Sequence, residues 1–380
     1  MTKKKPYLAD VGRLIYDLAA MRKRPLSFSN CHGMSAAAWN RKAHKAFLDG
    51  LGCPFERVNL DMRLEETVER DGYTEERITF ASTSLHRISA LVLVPHAGKP
   101  PFPAVVALHD HGGFYLFGKE KIVERPRECR QLRQFKMDAY EGRSWASEIA
   151  RRGYLVVAID ALGWGDRNFC RSDVRNPVQA PDYHAEMVEQ THERNEPSVK
   201  QSFHADLHAA WAGTSWAGIV NWDDRRTVDY LLSRKDVDRK KIVCLGLSGG
   251  GFRSTYLFGS DPRIAAAGIV GWMTCLAEQL LFPTDTHLGM FSAPGVSRLM
   301  DHPDVAALGA PRNLFLMQCA RDQIFPHDAM KRAAELIADI YDSWGRPENF
   351  RRHFYDVPHC FNIKMQTDMF EWFDLVLDRA

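Results

Sequence analysis

The stretch Lys241-Ile242-Val243-Cys244-Leu245-Gly246-Leu247-Ser248-Gly249-Gly250-Gly251 constrains this chain more than any other. A run rich in branched apolar residues, the composition of a buried strand, stops at Gly-x-Ser-x-Gly, and a segment able to be helical follows. A serine in that context sits on a sharp strand-to-helix turn, with its hydroxyl projecting above the sheet. The turn strains the backbone, so its neighbours must be small. Gly246 and Gly250 stand two residues either side of Ser248, where a side chain would collide with the turn. The N–H of Gly249 then points toward an oxyanion.

The pattern around this stretch predicts the layers. Thr67–Arg70, Tyr73–Ala81 and Arg87–Pro95 are β-rich, and Asp71-Gly72 signals a hairpin, which together predict an antiparallel start to a sheet. Phe102–His109 is a continuous apolar run. Strands at Tyr154–Asp160, 241–246, Ile264–Val270, Asn313–Gln318 and Arg352–Asp356 then alternate with helices near 142–152, 219–234, 249–259, 327–343 and 362–378. Alternation on this scale predicts an α/β class fold, a mostly parallel sheet with helices on both faces. Ligands of such sheets bind at the carboxyl ends of the strands. Two amphipathic helices, over 7–24 and 35–50, precede the sheet. We read residues 1–65 as a helical N-terminal extension and 66–380 as the catalytic domain. Stretches 165–205 and 276–312 lack a strand–helix rhythm and are candidate cap or loop insertions.

A serine hydroxyl needs a base, and the base needs a third group to hold its tautomer. For a serine on this kind of turn, the acid follows in the chain and the base comes last. Asp322 lies in the turn leaving strand Asn313–Gln318 and is the candidate acid. Its competitor, Asp328, sits near the start of the next helix, where it suits the helix dipole. His359 lies in the loop between strand Arg352–Asp356 and the final helix and is the candidate base. His353, inside that strand, is the rival. The loop after Phe102–His109 reads His109-Asp110-His111-Gly112-Gly113-Phe114. Its adjacent glycines let backbone amides approach a ligand, so Gly113, then Gly112, are candidates for the second oxyanion donor beside Gly249. Phe114, Trp164 and Trp272 follow strands and are candidate substrate-lining residues. Asp160 and Asp166 read as structural groups fixing the Trp164 turn.

These blocks together resemble the α/β-hydrolase superfamily. Within it, the chain is similar to bacterial acetyl-xylan-esterase-like and dienelactone-hydrolase-like serine esterases. The resemblance runs over about residues 75–380, on Leu108–Gly113, 151–167, 221–251, 261–264, Arg321–Pro326 and Pro358–Asn362. It implies the α/β-hydrolase fold and a serine carboxylic-ester hydrolase acting through an acyl-enzyme, on short-acyl esters such as acetylated carbohydrate. Dienelactone hydrolases carry cysteine where this chain has Ser248, which argues against that reaction. The alternatives are a prolyl-oligopeptidase-like peptidase or amidase, and a non-catalytic binding protein on a hydrolase fold.

Composition bounds the partners. The chain has 380 residues with Lys+Arg 50 against Asp+Glu 48, so no bulk charge attracts nucleic acid or anionic lipid. No segment approaches the ~20 apolar residues that cross a bilayer. Eight cysteines are scattered without a Cys-x-x-Cys pair, a pattern that suits a reducing compartment. We therefore expect a cytoplasmic protein acting on a small-molecule ester, with self-association left open. His204 and His208 are four apart on an expected helix, but no Glu completes a zinc motif. No metal and no cofactor is expected.

Overall fold

The structure, a computed structural model, describes residues 11–53, 55–168, 187–280 and 291–378. Two helices come first, α1 (Val11–Met21) and α2 (Ala36–Gly50). The Ser35 hydroxyl caps α2 by accepting from the Ala38 amide at 3.3 Å. Then come β1 (Arg63–Arg70), β2 (Tyr73–Ala81), β3 (Arg87–Pro95) and β4 (Phe102–Leu108). Helices α3 (Arg130–Tyr140) and α4 (Trp145–Arg151) lead to β5 (Leu155–Ile159). Helices α5 (Met187–Trp211) and α6 (Trp216–Ser233) lead to β6 (Val237–Leu247), α7 (Gly249–Ser260) and β7 (Ala266–Val270). Short helices α8 (Leu276–Gln279), α9 (Pro294–Ser297) and α10 (His302–Ala307) precede β8 (Asn313–Cys319). The chain ends with α11 (His327–Ser343), β9 (Phe350–Tyr355) and α12 (Ile363–Asp378).

The nine strands form one sheet in the order β1-β2-β3-β5-β4-β6-β7-β8-β9. β1, β2 and β3 pair antiparallel, and β3 meets β5 antiparallel. From β5 onward all pairs are parallel. The chain moves from β4 outward to β5, then crosses to β6 on the other side of β4. That reversal opens a crevice at the carboxyl ends of the central strands.

Side-chain alternation along the central strands builds two cores. In β4, Ala104, Val106 and Leu108 enter one cluster, and Val105 and Ala107 enter the other. In β6, Ile242 and Cys244 face the first, and Val243, Leu245 and Leu247 the second. The first cluster also takes Leu26, Trp39 and Phe47, so the N-terminal helical segment shares its core with the sheet.

Two stretches read as irregular contain helices: α5 in 165–205, and α8, α9 and α10 in 276–312. Residues 169–186 and 281–290 of these stretches lie outside the described residues, as do residues 7–10 of the first expected helix. No helix among the described residues is long and apolar enough to cross a membrane. The seven described cysteines are free thiols, and Cys170 lies outside them.

Candidate active site

Ser248 sits between the end of β6 and the start of α7 with φ 57° and ψ −118°. Such a left-handed non-glycine residue stores strain on the order of 1–3 kcal/mol. The turn is tied down by the Ser248 amide, which donates to the Val270 carbonyl at 2.8 Å. Its glycines are dictated by the neighbouring strand. A methyl group on Gly250 would lie 2.1 Å from the Leu108 carbonyl oxygen, and one on Gly246 2.4 Å from it. The carboxyl end of β4 is thus pressed against the turn, which brings the loop after β4 to the serine.

Asp322 and His359 come together across the ends of β8 and β9. His359 Nδ1 lies 2.6 Å from Asp322 Oδ2. The Asp322 carboxylate is fully buried, and its other oxygen accepts from the Ile324 amide at 2.8 Å. An N–H···O bond this short holds the proton on Nδ1 and leaves Nε2 as the basic nitrogen. His359 Nε2 is buried with no hydrogen-bond partner among the described residues. The serine–histidine contact is therefore open here, as is common before substrate closes such a site. Gly271 adjoins His359 and Leu247, the residue before the serine. With φ +54°, it lies where a methyl group would be 3.1 Å from Leu247 Cδ1 and 3.3 Å from His359 Cε1. Sequence reasoning passed over Gly271, although a glycine directly after a buried apolar strand is a signal of close approach.

Asp328 is exposed in the first turn of α11. His353 is exposed in β9, its ring against Tyr355. Neither meets the other candidates.

The loop after β4 is built from buried polar groups. The Ala161 amide donates to His109 Nε2 at 3.0 Å, so His109 Nδ1–H donates to the Asp110 carbonyl at 2.8 Å. Burial holds this imidazole well below its ordinary pKa, which keeps it neutral. Lys121, wholly buried, donates to the carbonyls of His111 at 2.9 Å and Asp110 at 3.3 Å, and to the Asp110 carboxylate at 3.3 Å. The Tyr140 hydroxyl donates to the other Asp110 oxygen. These bonds fix the loop over α7.

Gly112 and Gly113 both have positive φ, 56° and 63°. The Gly113 amide donates within the loop, to His111 Nδ1 at 3.0 Å. It is the His111 backbone that abuts the turn: a methyl group on Gly249 would lie 2.7 Å from the His111 amide nitrogen. The His111 amide is thus the loop amide beside Gly249, a placement the glycine-centred reading did not reach. Asn195 on α5 ties the loop from outside, donating to the Gly113 carbonyl and accepting from the Tyr115 amide, both at 2.8 Å.

The three aromatic candidates have different places. Trp164 is 1% exposed, stacks on Tyr115 at 4.6 Å, and donates to the His111 carbonyl at 3.1 Å, so it buttresses the loop. Phe114 packs on Phe117 and Phe135. Trp272 packs on Phe325, 5.2 Å away, and Phe325 lies 6.1 Å from the His359 ring. Asp160 accepts from the Asp166 amide at 2.9 Å and from the Lys119 ammonium at 2.5 Å. Burial works against the Lys119 charge, but Asp160, Asp166 and Glu120 outweigh it and raise its pKa. The His204 and His208 rings are 6.4 Å apart on α5. No group of three His, Cys, Asp or Glu suited to a metal occurs among the described residues.

A protein-family model described as the Abhydrolase family matches residues 18–369. YtaP of Bacillus subtilis (strain 168), provisionally named a hydrolase, is 22% identical over 293 residues, 76% of this chain and 83% of its own. A structure from Bacteroides fragilis NCTC 9343, provisionally named an acetyl xylan esterase, aligns with TM-score 0.72 at 17% identity, over 94% of this chain and 85% of that one. A glucuronoyl esterase from Solibacter usitatus aligns with TM-score 0.63 at 13% identity, over 92% of this chain and 96% of its own. At these identities the structural likeness speaks to the fold. Because the family model spans nearly the whole chain, this protein belongs to the Abhydrolase family and has the α/β-hydrolase fold.

Proposed function

We propose that the protein is a serine carboxylic-ester hydrolase working through an acyl-enzyme, with Ser248, His359 and Asp322 as its triad. The observation that supports this most is the 2.6 Å contact between His359 and the fully buried Asp322 carboxylate, after strands of the same sheet in which β6 ends at a serine held at positive φ. Ser248 Oγ attacks the ester carbonyl while His359 Nε2 takes its proton. The C–O bond to the alcohol then breaks, and His359 returns the proton to the leaving oxygen. Asp322 keeps the proton on Nδ1 and stabilises the imidazolium. Water, deprotonated by His359, cleaves the acyl-enzyme and releases the acid. The Gly249 amide, with the His111 amide as the loop donor in place of Gly113, holds the tetrahedral oxyanion. The similar structures named as acetyl xylan and glucuronoyl esterases support small esters, acetylated carbohydrate among them, as the substrate class.

The test is covalent labelling. A fluorophosphonate should modify the wild-type protein once, at Ser248, and leave Ser248→Ala unlabelled. Ser248→Ala should also lose about 10⁴- to 10⁶-fold in kcat on 4-nitrophenyl acetate. Activity of the purified variant within tenfold of wild type would discard the mechanism.

A further inference from the structure

Helix α5 grips one residue of the loop after β4 at its amide, its carbonyl and its side chain. Asn195, Ser198 and Ser202 are spaced three and four apart, so they share one face of that helix. The Asn195 side chain accepts from the Tyr115 amide at 2.8 Å. Ser198 Oγ bonds both polar atoms of the Asn168 amide, at 2.9 and 3.0 Å, and Asn168 Nδ2 donates to the Tyr115 carbonyl at 3.1 Å. Ser202 Oγ lies 3.1 Å from the Tyr115 hydroxyl. Tyr115, Asn168, Ser198 and Ser202 are all buried.

Tyr115 passes that grip to His111. The two rings meet edge to face with centroids 5.4 Å apart, and the Tyr115 hydroxyl lies 3.1 Å from His111 Nε2. The Gly113 amide can only donate, so its 3.0 Å bond makes His111 Nδ1 an acceptor. The proton of the neutral ring is then on Nε2, facing the Tyr115 hydroxyl. The backbone amide of the same residue is the one that abuts Gly249 at the serine turn. His111 thus carries both the loop amide nearest the turn and the imidazole that Tyr115 holds.

The loop needs this hold. Gly112 and Gly113, both at positive φ, follow His111 directly, and glycine has the widest choice of backbone conformations. Lys121 and Trp164 donate to the His111 carbonyl. Beyond it, the Gly113 carbonyl takes its bond from Asn195 at 2.8 Å. Asn195 therefore pins the far end of the glycine pair, and Tyr115 pins the side chain at the near end. An oxyanion donor must stand about 2.7–3.1 Å from the point where charge develops. A misplacement of about 1 Å at a reacting centre can cost on the order of 10²-fold in rate.

We propose that α5 sets the oxyanion hole: Asn195 and Tyr115 are positioning residues that hold His111, and with it the loop amide, where the tetrahedral oxyanion forms. The proposal rests on the esterase reading above. It gives the helix between β5 and β6 a part in turnover that requires no contact with the substrate.

The test uses Asn195→Ala and Tyr115→Phe, which remove one hydrogen-bonding group each and keep the buried ring. On 4-nitrophenyl acetate, kcat should fall by about 10- to 100-fold in each variant, with KM within about threefold of wild type, because an interaction of the transition state is weakened. An alkyl trifluoromethyl ketone probes the hole directly. Its carbonyl carbon takes up Ser248 Oγ while the serine proton passes to His359, which leaves an oxyanion in the hole. Its Ki should therefore rise by about the factor by which kcat falls. His204 is exposed, nine residues after Asn195 and so on the opposite face of α5, and His204→Ala should keep wild-type kinetics. A kcat within about threefold of wild type in either Asn195→Ala or Tyr115→Phe would overturn the proposal, as would a fallen kcat with an unchanged ketone Ki. Turnover by the wild-type protein and its labelling at Ser248 report on the esterase reading separately. With both intact, those results overturn the α5 proposal alone; with both lost, the two readings fall together.

Discussion

Asp322 and Asp328 lie on either side of the start of α11, and their surroundings separate their roles. The Asp322 carboxylate is fully buried and bonded to His359 and to the Ile324 amide. Asp328 is exposed in the first turn of α11, where its charge suits the helix dipole. Asp322→Asn keeps the shape of the side chain but presents an amide that favours the wrong imidazole tautomer. Its kcat should fall by about 10⁴, while Asp328→Asn should stay within about threefold of wild type. Steady-state kinetics on one activated ester decides between them, and the reverse ranking would move the acid to Asp328. Asp322 was legible as a candidate because a turn directly after a buried strand is where sheet chemistry gathers. The nearness of the His111 amide to Gly249 was not legible. A backbone N–H leaves no mark on residue identity, whereas adjacent glycines do, and they drew the reading to Gly113 and Gly112.

At the scale of elements, buried lysines explain both what holds the site and what hydropathy misses. α3 buries Leu132, Lys136 and Tyr140, spaced four apart on one face. Lys136 reads as polar, yet it donates to the Val123 carbonyl at 3.0 Å and to the Ser144 hydroxyl at 2.8 Å, so the apolar period of α3 is broken on paper and intact in space. Of α5 only the part around His204 and His208 was expected: Pro197 lies within the helix, and proline ordinarily ends one. The strands β3, β4, β5, β7 and β8, by contrast, are largely apolar runs and were readable to within two residues, whereas β1 and β6 begin four residues before their expected starts, in the polar stretches 63–66 and 237–240. Lys121 carries the clearest consequence. Lys121→Met would strand the Asp110 carboxylate, buried and bonded to Tyr140, without its cation. Removing one partner of a buried pair typically costs about 3–5 kcal/mol. Denaturant unfolding should show a loss of that order, and the Lys121→Met/Asp110→Asn double variant should be less damaged than the sum of the singles. A loss under about 1 kcal/mol, or strict additivity, would show that Lys121 does not hold the loop through Asp110.

At the scale of the whole molecule, the N-terminal segment is fastened to the sheet domain by a titratable latch. The Leu26 amide donates to the Leu299 carbonyl at 2.9 Å, and the Phe28 amide donates to Asp304 Oδ1, also at 2.9 Å. Asp304 Oδ2 accepts from the Asp301 amide at 2.8 Å, closing the capping box of α10. Burial raises the Asp304 pKa from 3.8 to about 6, although the Asp301 and Phe28 amides favour the carboxylate. The folded state therefore binds this proton more tightly than the unfolded chain does. The stability contributed by that proton is fully present below about pH 4 and is lost as pH rises through about 6. Between pH 7.5 and pH 5, linkage with these two values predicts a gain of roughly 1–1.5 kcal/mol from Asp304 alone. Asp304→Asn cannot titrate, so it forgoes that gain. Its destabilisation relative to wild type, measured by urea unfolding, should be larger at pH 5 than at pH 7.5 by about that amount. Equal destabilisation at the two pH values, or a greater one at pH 7.5, would mean that Asp304 is ionised throughout, and that the latch is a plain carboxylate cap whose two amide bonds outweigh its burial.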